Sequence, residues 1–326
     1  MNLINIRRLL IWISVTAVVM IAIFLTTASN GLLIKQNAEQ GSHGITWQIP
    51  DTSELPMTPE GMLVRYGRDL IANTSYYLGP KGTVAHITNG MNCQNCHLDA
   101  GTRTWGNNYG AVFSTYPKFR DRSGSIENIY KRVNDCLERS LNGHAIDTNG
   151  HEMQAIAAYL KWIGQKVPRA NKPWGTGIRD LAFMDRPADP VRGRTIYIQK
   201  CQRCHSNEGS GLLSYDSTRY VYPPLWGKNS YNVGAGLYRL SRFAGYVRDN
   251  MPFDAPNNSA PLIDEEAWDV AAFVNSQQRP VKDCSKDYPN IGAKPVDYPF
   301  GPFKDQFSED QHKYGPFAPI RAAKQK

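Results

Sequence analysis

The sequence predicts a mainly α-helical protein of two tandem domains alike in construction, with a hydrophobic helix ahead of them and an extended C-terminal strap behind. Three observations predict it. A Cys-x-x-Cys-His motif occurs twice, at 93–97 and at 201–205. Each copy lies between a proline-opened helix and a later helix with two alanines before an aromatic residue. A stretch studded with Pro168, Pro173, Gly175, Gly177 and Pro187 separates the copies. The expected division is 1–30, a signal peptide or membrane anchor; 47–166, the first domain; 167–188, a linker; 189–279, the second domain; and 280–326, the strap.

At the N-terminus, Arg7 and Arg8 precede an uncharged apolar run. About twenty residues of helix cover roughly 30 Å, so the run suits either a cleaved export signal or a retained inner-membrane anchor. Either way the remainder is expected to be exported to the periplasm, with membrane attachment only through this segment. The 326-residue chain is 41% hydrophobic, which excludes disorder as its general state. Its formal charge of +8 suits anionic small molecules or an acidic redox partner, and no nucleic-acid partner is expected.

Six cysteines in an exported chain would suggest three disulfides, but four of them stand in the two short motifs. Cys93, Cys96 and His97, and again Cys201, Cys204 and His205, have the spacing of c-type haem attachment. Two thiols at that spacing meet the two vinyl groups on one porphyrin edge, and the adjacent histidine becomes the iron's proximal ligand. A redox dithiol would sit in a βαβ setting, and zinc would require four ligands grouped otherwise. Two covalently bound haem c groups are therefore expected.

The flanking helices agree. Thr58-Pro59 opens one containing Gly67, and Asp189-Pro190 opens one containing Gly193. Ile156-Ala157-Ala158-Tyr159-Leu160 stands against Val270-Ala271-Ala272-Phe273-Val274. A glycine on the first helix lets the aromatic of the last approach closely, which resembles the helix pairing of class I cytochromes c. Beyond Arg279 the chain is rich in proline and tyrosine without helical period, hence the extended strap.

Met251, 46 positions after His205 and ahead of the helix beginning near Asp264, is the expected distal ligand of the second haem. Met184 lies upstream of the motif, where a distal loop would not be. For the first haem the spacing leaves Cys136, His144, His151 and Met153 open. Cys136 lies on a helix expected over about 125–141, sharing a face with Arg132, Arg139 and Ser140. Guanidinium neighbours favour a thiolate, the form that binds metal and attacks sulfur. A Cys136–Cys284 disulfide is the alternative.

The run from Cys93 through Asp99, Gly101 and Arg103 to Trp105 resembles the first haem site of the dihaem thiosulfate dehydrogenases, a family that includes tetrathionate reductases. So do Arg132-Val133-Asn134-Asp135-Cys136-Leu137-Glu138-Arg139-Ser140 and the tail from Lys304 to Gly315. The resemblance implies that two thiosulfates are joined to tetrathionate with release of two electrons, or the reverse. It implies Cys136 as distal ligand of the first haem and catalytic group, and Arg122 and Arg132 as substrate residues. Electrons would leave through the second haem to a redox partner such as another cytochrome c. Some members place a lysine just before the distal methionine. Asn250 stands there in this chain, so Met251 is expected as ligand in both redox states. The rival readings are a dihaem electron carrier without catalysis, two His/Met haems sufficing for it, a dihaem peroxidase, and a sulfur-oxidation cytochrome that carries a sulfur chain on its distal cysteine.

Overall fold

A computed structural model describes residues 47–253 and 262–325 of the chain. The signal or anchor expected at 1–30 lies outside these residues. Among the described residues no helix is long and apolar enough to cross a membrane. The chain from Trp47 onward forms one compact unit.

Eight helices frame it: α1 (Pro59–Ala72), α2 (Ile129–Arg139), α3 (His151–Gly164), α4 (Pro190–Lys200), α5 (Leu240–Asn250), α6 (Asp264–Ser276), α7 (Glu309–Tyr314) and α8 (Phe317–Lys324). Shorter helical turns join them, together with two antiparallel hairpins: β1 (Lys118–Arg120) with β2 (Ser125–Glu127), and β3 (Leu212–Leu213) with β4 (Tyr220–Tyr222). The helix starts follow capping chemistry. Thr58 Oγ1 accepts from the Gly61 amide (3.3 Å), and Asp189 Oδ1 accepts from the Val191 amide (2.8 Å), each just ahead of a proline at the first helical position. The Ile263 amide donates to Glu266 Oε2 (3.0 Å), supporting the start of α6.

In the first half α1 crosses α3, and in the second α4 crosses α6. A Cβ on Gly67 would strike the Ala155 carbonyl oxygen and come within 3.0 Å of the Tyr159 Cβ; one on Gly193 would strike the Asp269 carbonyl and come within 2.9 Å of the Phe273 Cβ. The two crossings thus repeat residue for residue. Tyr159 and Tyr197 are almost wholly buried beside them. The two cores are distinct, but Leu98, from the first motif's flank, packs in the second.

The structure corrects two expectations of secondary structure. Residues 125–127 are strand, and the helix carrying Cys136 begins only at Ile129, where the Asn128 side chain accepts from the Lys131 amide (2.9 Å). The C-terminal segment is extended only as far as about residue 308; α7 and α8 follow. Gly315, at φ +84°, ends α7 in a conformation that disfavours side-chain-bearing residues, and α8 then buries Phe317 and Ile320 in the second core.

Candidate active site

Each Cys-x-x-Cys-His motif closes into one helical turn. The Cys96 and His97 amides donate to the Cys93 carbonyl (3.2 and 3.0 Å), and those of Cys204 and His205 donate to the Cys201 carbonyl (both 3.1 Å). Residues three and four apart share a face, so thiols and imidazole converge on one cavity in each half. The first cavity, of about 680 Å³, is lined by Cys93, Cys96 and His97. The second, of about 450 Å³, is lined by Cys201, Cys204 and His205. Asn92, Cys96, Tyr231 and Leu237 line both, so the dividing wall is about one side chain thick.

The histidines are oriented alike. His97 Nδ1 donates to the Asn107 carbonyl (2.5 Å), and His205 Nδ1 donates to the Pro223 carbonyl (2.9 Å). Since a carbonyl only accepts, the proton is on Nδ1 and Nε2 keeps its lone pair for a metal. Burial pulls the His97 pKa down to about 4 and lowers that of His205, so both rings are neutral. Burial also pushes Cys93 to about 11, and Cys96 and Cys201 to about 12. Such thiols are poor nucleophiles, which argues against a redox dithiol. A paired thiol edge, an imidazole with a free Nε2 and an adjoining cavity fit a covalently attached haem in each half.

Of the four candidates for the far side of the first cavity, Cys136 alone lines it. His151 stacks on Tyr66 outside (5.1 Å between centroids), Met153 is fully buried in the core, and His144 does not reach the lining. Cys136 and Cys284 are both free thiols, so the disulfide alternative is not realised. In the second cavity Met251 belongs to the lining and Met184 does not.

The linings differ in charge. Lys118, Arg120 and Arg122 come from the first hairpin, where strand alternation turns Lys118 and Arg120 to the cavity and leaves Phe119 exposed. Arg132 comes from α2, Lys172 from the segment between α3 and α4, and Arg239 and Arg242 from the start of α5. Among the described residues Asp180 is the one carboxylate in this lining. The second cavity has Lys200, Arg219 and Asp99. Arg132 lies one helical turn before Cys136; charge on Cys136 is the largest cause holding the Arg132 pKa above its usual value. Arg139, on the same helix, faces away and forms a two-toothed pair with Asp287 (2.7 and 2.8 Å). The sequence reading did not single out Lys118, Arg120, Lys172, Arg239 or Arg242. The alternation Lys118-x-Arg120-x-Arg122 was the available signal, since on a strand it places basic groups on one face.

Two helical halves of matched design, each with a haem-binding cavity, define a two-domain c-type cytochrome. Residues 84–168 match the family described as "SoxA/TsdA, cytochrome c domain", and residues 188–274 match "Cytochrome C oxidase, cbb3-type, subunit III". Thiosulfate dehydrogenase of Psychrobacter arcticus is 35% identical over 77% of this chain and 74% of its own. That of Allochromatium vinosum is 35% identical over 72% and 84%, and that of Stutzerimonas stutzeri 31% over 76% and 77%. A solved structure of thiosulfate dehydrogenase (TsdBA) from Marichromatium purpuratum superposes with a TM-score of 0.66 at 32% identity; the match covers 74% of this chain and about half, 51%, of that longer one. The chain belongs to the thiosulfate dehydrogenase family, an oxidoreductase family of c-type cytochromes, and carries two covalently bound c-type haems.

Proposed function

We propose that the protein oxidises thiosulfate, joining two molecules into tetrathionate and releasing two electrons, in the cavity lined by Cys136. The observation that carries this reading is the inequality of the two linings. Each haem brings the same propionates, so neutralising them demands equal cation supply. Among the described residues the first cavity nevertheless presents seven cationic side chains against one carboxylate, the second two against one. Even counting partners behind the wall, Lys118, Arg132 and Lys172 form no ion pair among the described residues. Two thiosulfate dianions brought to 4 Å repel by about 4 kcal/mol even in bulk water, and by more in a cleft. Fixed guanidinium groups offset that repulsion while holding sulfonate oxygens.

In this reading residues 47–166 hold the first haem through Cys93, Cys96 and His97, and residues 189–279 hold the second through Cys201, Cys204 and His205. Residues 167–188 link them, and Cys136 and Met251, which line the two cavities, would each supply a further ligand. When bound, the haems supply the redox chemistry by taking up one electron each. Arg122 and Arg132 bind the sulfonate of the first thiosulfate and direct its outer sulfur to Cys136 Sγ. Formation of that sulfur–sulfur bond gives up two electrons. The outer sulfur of a second thiosulfate then attacks the sulfur attached to Cys136, which makes the central bond of tetrathionate and expels the Cys136 thiolate. Arg132, one turn away, stabilises the departing charge. The reverse sequence is tetrathionate reduction. The half built around Cys201, Cys204 and His205 would pass the electrons on to a partner such as another cytochrome c, in the periplasm.

Under anaerobic conditions thiosulfate alone should reduce both haems of the purified protein and yield one tetrathionate per two electrons. The Arg132→Gln variant should show a lower kcat/KM by roughly a hundredfold. Haems that stay oxidised in excess thiosulfate would defeat the proposal and leave a carrier without catalysis.

The cation cluster also gives a pH signature. Burial, with help from Arg120, Lys172 and Arg132, pulls the Lys118 pKa down to about 8. Its charge is complete below that pH and lost above it, so KM for thiosulfate should rise about threefold to tenfold from pH 7 to pH 9. Lys118→Arg should abolish the inflection. Stability has the opposite sense: the folded pKa lies below the unfolded 10.5, so the unfolded chain binds more protons between pH 8 and 10.5 and this group's destabilisation is relieved as pH rises through that window.

A further inference from the structure

The C-terminal segment reaches the wall of the first cavity. Tyr288 lines that cavity and is 6% exposed, and its amide donates to the Arg122 carbonyl (2.7 Å). Its φ of +59° is a left-handed conformation that a tyrosine adopts at a cost, offset here by that hydrogen bond and by edge-on contact with Tyr298 (4.8 Å). The preceding Asp287 is the centre of a buried cluster. Both its oxygens accept from Arg139, Tyr298 Oη donates to Oδ2 (3.1 Å), and Arg122 Nε lies 3.9 Å from Oδ2. The Gly234 carbonyl accepts from Arg122 Nη1 (3.5 Å) and Arg139 Nη1 (3.3 Å). Arg139 thus takes the close share of the carboxylate. Arg122 is held by charge at longer range, with its buried Nε lacking a hydrogen-bond partner, while it lines the cavity.

We propose that Asp287 is a positioning residue for the thiosulfate site: with Tyr298 and Arg139 it fixes the Arg122 guanidinium against the cavity, so that the C-terminal strap forms part of substrate recognition. This rests on the reading that Arg122 binds thiosulfate. A guanidinium fork holds an oxyanion only when its plane is set, and Arg122 sits on a tight turn between two three-residue strands, a support too small to set it alone.

The sign of the effect separates positioning from bulk charge. Asp287→Asn removes a negative charge beside an anion site, so charge alone would tighten anion binding. Loss of positioning weakens it, because a displaced fork forfeits two charge-assisted hydrogen bonds, whereas the added field is shared and screened. In the holoenzyme, Asp287→Asn should raise KM for thiosulfate about tenfold with kcat within about twofold, and should weaken binding of inorganic sulfate, measured by calorimetry, in parallel. Tyr298→Phe, which removes one hydroxyl from the clamp, should move both in the same direction by roughly twofold to threefold. Unchanged or tighter thiosulfate and sulfate binding in these variants, whatever their melting temperature, would overturn the proposal. If Asp287→Asn does not fold, Tyr298→Phe decides. A wild-type protein without thiosulfate turnover would instead count against the functional reading, and the sulfate measurement would still test the clamp.

Discussion

Replacing Cys136 by alanine is expected to lower thiosulfate turnover by about a thousandfold or more while the fold survives. The side chain projects from α2 into the first cavity and forms no disulfide, so its removal takes away one sulfur atom and no cross-link. The stability cost should stay near about 1 kcal/mol, in the range for small truncations at a cavity wall. Catalysis loses much more, because no other free thiol lines the cavity to carry the sulfane sulfur: Cys93 and Cys96 belong to the haem-attachment motif, and Cys284 is not in the lining. The first haem should change with it. A thiolate ligand donates charge to ferric iron and lowers its reduction potential, so the alanine variant should titrate at a higher potential with an altered paramagnetic spectrum. Retained turnover with an unchanged spectrum of the low-potential haem would refute both roles at once, and retained turnover with a changed spectrum would refute catalysis alone.

The largest loss of stability is expected at the helix crossings. Gly67→Val and Gly193→Val each place a branched side chain against backbone carbonyls at Ala155 and Asp269, and neither carbonyl can move without breaking its helix. Overpacking that only displaces a flexible side chain costs about 1–3 kcal/mol; against a fixed backbone we expect about 4 kcal/mol or more. The consequence should be local: Gly67→Val should reduce haem content in the first half and Gly193→Val in the second. Gly301→Ala is the control, since that exposed residue lines neither cavity and a Cβ there meets nothing closer than 3.4 Å. Thermal melting and haem-to-protein ratio read out all three. A Gly193→Val protein that melts like wild type would mean that the crossing does not limit stability.

The repeat of these crossings shows how much was legible in the sequence. Thr58 and Asp189 announce helix starts because a side-chain oxygen before a proline satisfies orphan amides locally. The haem motifs are equally local, since one helical turn aligns both thiols with the histidine. Met251 lines the second cavity from the segment ahead of α6, the place in the chain from which a side chain was expected to reach it. The hairpin at 118–127 was not seen, because three-residue strands have too little pattern to compete with the adjoining helical period, and the cap at Asn128 that ends the competition was overlooked.

Arg139 shows where sequence reasoning stops. Helical spacing places it with Cys136, Arg132 and Ser140, and Arg132 and Ser140 do line the cavity. Arg139 turns instead to Asp287, 148 positions later in the chain. The choice among Cys136, His144, His151 and Met153 was likewise beyond spacing, since all four lie within the same stretch and only packing decides which faces the cavity.

By itself the sequence determined the paired haem motifs, the starts of α1, α4 and α6, the glycine–aromatic crossings and the family, because each is written in residues close together along the chain. Tertiary structure alone decided which thiol faces the first cavity, how cations from the hairpin, the segment before α4 and the start of α5 gather around it, and that the C-terminal segment meets Arg122. Those outcomes depend on contacts between distant segments, whose free energies are set by burial and charge pairing that no local pattern encodes.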